Sequence, residues 1–239
     1  MIYRKYLNMA YRKQYMLRCI KIAMLCLFLF SGNANAQNVS IPSDEAIEWG
    51  NKNGQELLLT LGIENIIEKH AKLDEMMSKH VNLDYISKFV LGKYYKKMNK
   101  NQKLRYSEIF KRYIFSIYKQ FNLTINPDDI NFTIDKVTEH KNFTNIKCSI
   151  DISKLSSNNV NTEKVNIDFK LIRGEENRIQ AVDLVISDVS LVVEYRKRFY
   201  KMVLDEDEDM NWFLDKLEDI TKANEETFGR KTIKSIQIY

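Results

Sequence analysis

Apolar positions along this chain keep two different periods, and the change between them divides it. From Ser43 to about residue 121 they recur every three or four residues, the spacing of helices buried on one side. Ser43, Asp44 and Glu45 after Pro42 form a start signal, and a helix is predicted to Leu61, ahead of Gly62. Gly50 and Gly54 are weak points within it. Further helices are predicted over 64–80, 84–98 and 102–121. The last carries the strongest pattern, with Tyr106, Ile109, Phe110, Tyr113, Ile114, Ile117, Tyr118 and Phe121 in helical register.

Beyond residue 129 the period becomes two. Ile130, Phe132 and Ile134 alternate with polar residues, as do Ile146, Cys148, Ile150 and Ile152. Val165, Ile167, Phe169 and Leu171 follow, then Val182, Leu184 and Ile186. These predict antiparallel strands, with turns near residues 140–142, 156–161 and 174–177. Helical spacing then returns. Ser190 can cap a helix over 191–204, and Asp209 or Asn211 opens a last one to about Asn224. Helices, then a sheet, then helices predict an α+β fold: helices of both ends packed on a four- or five-stranded antiparallel sheet.

The first 36 residues are different in kind. Arg4, Lys5, Arg12, Lys13, Arg18 and Lys21 precede nine apolar residues, Ile22 through Phe30, and then the small-residue site Ala34-Asn35-Ala36. That order is the order of a secretory signal, with cleavage expected before Gln37. Nine apolar residues are too few to span a bilayer. The expected organisation is a signal peptide over 1–36 and a single domain over 37–239. Removing the leader's six cations from the 37 basic residues leaves 31, against 32 acidic ones. A body so nearly neutral argues against nucleic-acid binding.

Cys19 and Cys26 lie in the leader, so the body keeps Cys148 alone and can form no internal disulfide. Its place in an alternating strand reads as a small buried hydrophobe. Templates for phosphate loops, nucleophile elbows and metal sites are absent, and His70, His80 and His140 share no ligand spacing. The acidic run at 205–209 lacks the glycine and terminal glutamate of a calcium loop, and reads as a helix–helix connection. No catalytic residue, metal or cofactor is expected. What stands out is apolar excess. Segments 101–121 and 182–193 carry more apolar residues than one buried stripe needs, which fits either a thick core or a cavity for an apolar ligand.

Two stretches then resemble a known family. Val90-Leu91-Gly92-Lys93-Tyr94-Tyr95, followed by Gln102, Tyr106, Phe110 and Tyr118, is similar to one signature of the MlaC/toluene-tolerance family of periplasmic phospholipid-binding proteins. Val182-Asp183-Leu184, then Val189-Ser190-Leu191 and Tyr195-Arg196-Lys197-Arg198-Phe199, resembles a second. Order, separation and strand-to-helix context agree over roughly residues 42–224. Three positions depart from the pattern. Asp188 stands where the family commonly has Gly, Ile179 replaces a usual Trp, and Lys103 replaces an Arg.

The resemblance implies a curved sheet with an internal apolar cavity that holds phospholipid tails. It implies a periplasmic carrier that moves lipid between outer and inner membranes and maintains outer-membrane lipid asymmetry. The implied partners are an inner-membrane ABC transporter with an MCE-domain subunit and an outer-membrane lipoprotein–porin complex. On this reading the tail-contacting surface draws on Leu91, Tyr95, Phe110, Ile114, Ile117, Tyr118, Val182, Leu184, Ile186, Val189 and Leu191. Lys103 and Arg196 supply charge at the mouth or at a docking face. The competing classes are a periplasmic enzyme, which would need converging polar groups, and an adaptor with a filled core.

Overall fold

The computed structural model describes residues 40–119, 125–151 and 164–236. The leader and the turn expected at 156–161 lie outside the described residues. Among the described residues, seven α-helices and a five-stranded sheet follow in the order α1 (Ser43–Leu61), α2 (Ile66–His80), α3 (Leu83–Leu91), α4 (Lys93–Lys97), α5 (Lys100–Tyr118), β1 (Asn131–His140), β2 (Phe143–Asp151), β3 (Lys164–Arg173), β4 (Ile179–Ile186), β5 (Val189–Ser190), α6 (Leu191–Asp205) and α7 (Met210–Ile236). The fold is α+β, as expected.

The sheet is a simple antiparallel meander in chain order. Its register places Ile146 opposite Val137 and Phe169, Cys148 opposite Ile134 and Ile167, and Phe169 opposite Leu184. Side chains of paired residues share a face. One face is therefore apolar from β1 to β4, while the other carries Lys147, Asp168, Lys170 and Asp183. A bulge at Asp135 corrects the alternation of β1 between Ile134 and Val137.

Helix α1 lies on the apolar face. Ile41 and Ala46 are buried there with Ile146, Cys148, Leu171 and Ala181, and Trp49 packs against them. Its two glycines are points of close approach. A β-carbon on Gly50 would stand 2.9 Å from Ile134 Cδ1, and one on Gly54 2.7 Å from Phe132 Cε1. Ser43 does not cap α1. Its N–H and hydroxyl both donate to Glu139 Oε1, at 2.9 and 2.5 Å, and so tie the helix start to β1.

The asparagines do much of the capping. Asn65 accepts from the N–H groups of Ile67 and Glu68, and Asn82 from that of Tyr85. Asn99 and Gln102 form a reciprocal capping box on α5.

The helices from α3 onward build a second, larger core. Val90, Leu91, Tyr94, Tyr106, Phe110, Phe199, Phe213, Leu214 and Leu217 are its centre, and Val182 and Ile172 enter it from the sheet. Along α5 and α7 charged groups close the seam from outside. Arg105 pairs with Asp215 at 2.6 Å, and Arg112 with Glu218 at 2.8 Å and Glu225 at 2.6 Å.

Two helix boundaries differ from the sequence reading. The helix expected over 84–98 breaks at Gly92, whose φ is 51°. The last helix does not end near Asn224 but runs to Ile236, because Phe228 carries its packing onward against the His70 ring. The acidic segment at 205–209 is a helix–helix connection, and it is pinned: Glu208 accepts from the Tyr94 hydroxyl at 3.1 Å and from Lys97 at 2.6 Å.

Candidate functional site

Coverage of the apolar sheet face changes along the strands. At one end Ile146, Cys148, Leu171 and Ala181 are buried beneath α1. At the other, Ile150, Val165, Ile167, Leu184 and Ile186 stand on the same face only half-buried. Apolar side chains of this size gain most from full burial, so a half-covered row is unfinished surface. Helix α2 links β4 to the end of α5. At its C-terminal end, Ala181 carbonyl accepts from the Asn82 N–H at 2.9 Å. At its middle, Asp74 accepts from the Tyr118 hydroxyl and from Lys119 Nζ, the latter at 2.7 Å. Leu57, Leu58 and Leu61 of α1 and Leu73, Met76 and Met77 of α2 are also half-buried.

The sequence-predicted residues are distributed over several environments. Leu91, Phe110 and Val182 are buried in the helical core, with Tyr95, Ile114 and Ile117 packed at its border. Leu184, Ile186 and Leu191 are half-buried, and Tyr118 is held by Asp74. Burial and that hydrogen bond both push the Tyr118 phenol up. Val189 is 48% exposed, paired with Ile186 at the sheet edge.

Lys103 and Arg196, far apart in sequence, do come together. They share an open depression of about 590 Å³ with Lys88, Gly92, Lys93, Tyr95 and Lys96. Five of the seven lining residues are cations and none is acidic. Lys103 Nζ lies 5.3 Å from the centre of the Tyr95 ring, and the Arg196 guanidinium 5.0 Å from that of Phe89.

Polar chemistry elsewhere is sparse. Among the described residues, no group of three or more His, Cys, Asp or Glu could hold a metal ion. Burial, with the Asp135 and Asp168 carboxylates behind it, pushes the Cys148 thiol up to about 12, so it is no nucleophile at neutral pH. His70 is buried with Nδ1 unpaired, and burial holds its ring below the usual histidine range.

A family model for the MlaC protein matches residues 62–219, about two thirds of the chain. The chain belongs to the MlaC family. A similar solved structure is the phospholipid-binding protein of Ralstonia solanacearum, determined in complex with a phospholipid. It is 13% identical, with a TM-score of 0.60, and the match covers 75% of this chain and 98% of that one. At that identity the likeness is one of fold. No curated protein matches the sequence.

The stretches that carry the MlaC resemblance prove to be architectural. Gly92 of the first meets Arg196 of the second. Tyr106 donates to the Ser87 carbonyl at 2.9 Å, and Gln102 donates to Asn211 at 3.0 Å. Asp183 organises the strand-to-helix corner. Its Oδ1 accepts from the N–H groups of Leu184 and Val192, at 2.9 and 3.2 Å, and its Oδ2 accepts from the Ser190 hydroxyl at 2.7 Å. Ser190 in turn caps α6 by accepting from the Val193 N–H. Asp188, where the MlaC pattern commonly has Gly, adopts φ 66°. The Trp usual at position 179 has a substitute of sorts: the Trp49 indole N–H donates to the Ile179 carbonyl at 3.1 Å.

Sequence reasoning missed Asp183 as the corner post, and Lys88, Lys93 and Lys96 as companions of Lys103. The aspartate had a signal, standing seven residues before the cap serine. The lysines had none, since only tertiary packing brings them together.

Proposed function

We propose that this protein is a periplasmic phospholipid carrier that holds acyl tails against the half-covered end of its apolar sheet face. The observation that carries the reading is the row Ile167, Leu184 and Ile186, apolar and incompletely covered, in a chain of the MlaC family. Each methylene removed from water is worth about 0.8 kcal/mol, so a 16-carbon tail represents roughly 12 kcal/mol. A lipid that crosses water therefore needs a shield, and the shield must be about as apolar as a bilayer for loading and unloading to be nearly balanced. Of the sequence-predicted residues, we assign tail contact to Ile114, Ile117, Tyr118, Leu184, Ile186 and Leu191, which are partly rather than fully buried. Leu91, Phe110 and Val182 support the wall from behind.

The carrier moves lipid between an outer-membrane lipoprotein–porin complex and an inner-membrane ABC transporter with an MCE-domain subunit, and so maintains outer-membrane lipid asymmetry. Residues 1–36 act as the cleaved signal that sends it to the periplasm. Direction comes from these partners, because a passive pocket supplies none.

Organic extraction of detergent-free protein followed by mass spectrometry tests the reading. Phospholipid should be recovered from the wild type and be at least tenfold depleted in Ile186→Glu, whose melting temperature should change little because a wall can admit water to the carboxylate. Protein purified without lipid that fails to take it up from vesicles would end the carrier reading. Accumulating lysophospholipid would point to an enzyme instead.

A further inference from the structure

The basic depression continues into an apolar row, and the two together have the composition of a membrane-contact surface. On α3, Tyr85 and Phe89 stand one turn apart and are 39% and 40% exposed. On α6, which packs beside α3, Val193 is 41% exposed one turn before Arg196, and Val189 precedes it at 48%. The joint between rows is Arg196: its Nη1 donates to the Phe89 carbonyl at 3.2 Å, and its guanidinium covers the Phe89 ring. From that joint the cations of the depression extend along α4. The acids that border this face are engaged locally, Asp84 with Lys88 and Glu194 with Lys197, apart from Asp188 at the preceding turn.

We propose that this face docks the protein on an anionic lipid surface, its cations meeting phosphates while Phe89 and Val193 enter the headgroup layer. The combination decides the occupant. An acidic protein would be matched by the cations alone and would leave four apolar side chains at the rim in water. A lipid surface takes both, apolar side chains below the headgroups and cations among them. The near-neutral body makes the patch a local feature, so binding orients the molecule. The inference adds to the carrier reading and does not rest on the sheet row Ile167, Leu184 and Ile186.

Flotation with phosphatidylcholine vesicles, with and without phosphatidylglycerol, tests it on protein cut before Gln37, because the cations and apolar run of residues 1–36 would bind such vesicles by themselves. Wild type should float with the anionic vesicles at low salt and be released at high salt. Each cation near such a surface is worth about a fivefold factor in affinity, so Lys93→Glu with Lys96→Glu should weaken binding by at least about 30-fold. Val193→Ser should weaken it severalfold at unchanged salt dependence, and Lys72→Glu on α2 should leave it unchanged. Equal flotation of wild type and the α4 variant, or no dependence on phosphatidylglycerol, would overturn the proposal. So would capture of an acidic protein, lost in the α4 variant, by a wild type that ignores vesicles. Lipid extracted from the same samples keeps the two readings apart. Flotation lost with bound lipid retained concerns docking alone, and absent lipid concerns the carrier.

Discussion

Arg196 packs directly over Gly92: a β-carbon built on that glycine would stand 2.9 Å from Arg196 Nη2, with the Tyr200 hydroxyl closer still. The residue also has φ 51°, a conformation that L side chains rarely adopt. Gly92→Ala is therefore expected to lower stability by about 2 kcal/mol or more. Tyr200→Phe in the same background should recover part of the loss, because it removes the nearest atom. Urea unfolding of the single and double variants reads both terms.

The Asp183 corner gives a second prediction. Its carboxylate accepts three hydrogen bonds, from the Leu184 N–H, the Ser190 hydroxyl and the Val192 N–H, the last in the first turn of α6, where backbone N–H groups otherwise lack partners. Asp183→Ala should cost about 2 kcal/mol. Amide exchange should rise first at Val192 and Val193. Protection unchanged at those two amides would remove the corner role.

Cys148 should be inert while the protein is folded. Its thiol is buried and pushed up to about 12. In chain cut before Gln37, where it is the sole thiol, a disulfide reagent at pH 8 should label it only after denaturant is added. Rapid labelling of native protein would place a solvent path against the sheet.

Stability should fall as pH drops below 6.5, before the carboxylate range near 4.5 is reached. Burial lowers His70 and His80 from 6.5. Around His70, Lys119 and Lys69 lower it further and Asp74 opposes; around His80, Lys79 and Lys52 lower it and Glu56 opposes. A histidine lowered in the folded state takes up its proton more readily when unfolded, so its contribution is complete above 6.5 and lost as pH falls through the folded value. His70→Gln should flatten the melting-temperature profile in that window. A profile identical to wild type would show that His70 is not the group responsible.

Much of the fold was legible because an antiparallel sheet with one apolar face writes its alternation directly into the chain. The alternation from Ile146 to Ile150 and from Val165 to Leu171 is the register of β2 on β3. Alternation marks the start of β1 but not its second half, because the bulge at Asp135 moves the phase between Ile134 and Val137. The break at Gly92 was hidden for a different reason: apolar spacing continues across it, and only Arg196 and Tyr200, a hundred residues away, require the turn. The site was less legible than the fold. Phe110 and Ile114 follow the same helical spacing, yet one is buried in the core and the other stands at its border. Periodicity states which way a side chain points and not how much lies above it.

The bulge at Asp135 has one more consequence, for the border of the sheet. β1 is an outer strand of ten residues, long enough to template pairing with another chain, while β5, the other outer strand, has two. Deleting Asp135 would leave Phe132, Ile134 and Val137 on the same face as before, now in unbroken alternation. The monomer would keep its core and acquire a straighter open ladder. Bulges twist an outer strand away from flat pairing, so a chain lacking Asp135 should unfold much as before but precipitate at lower concentration.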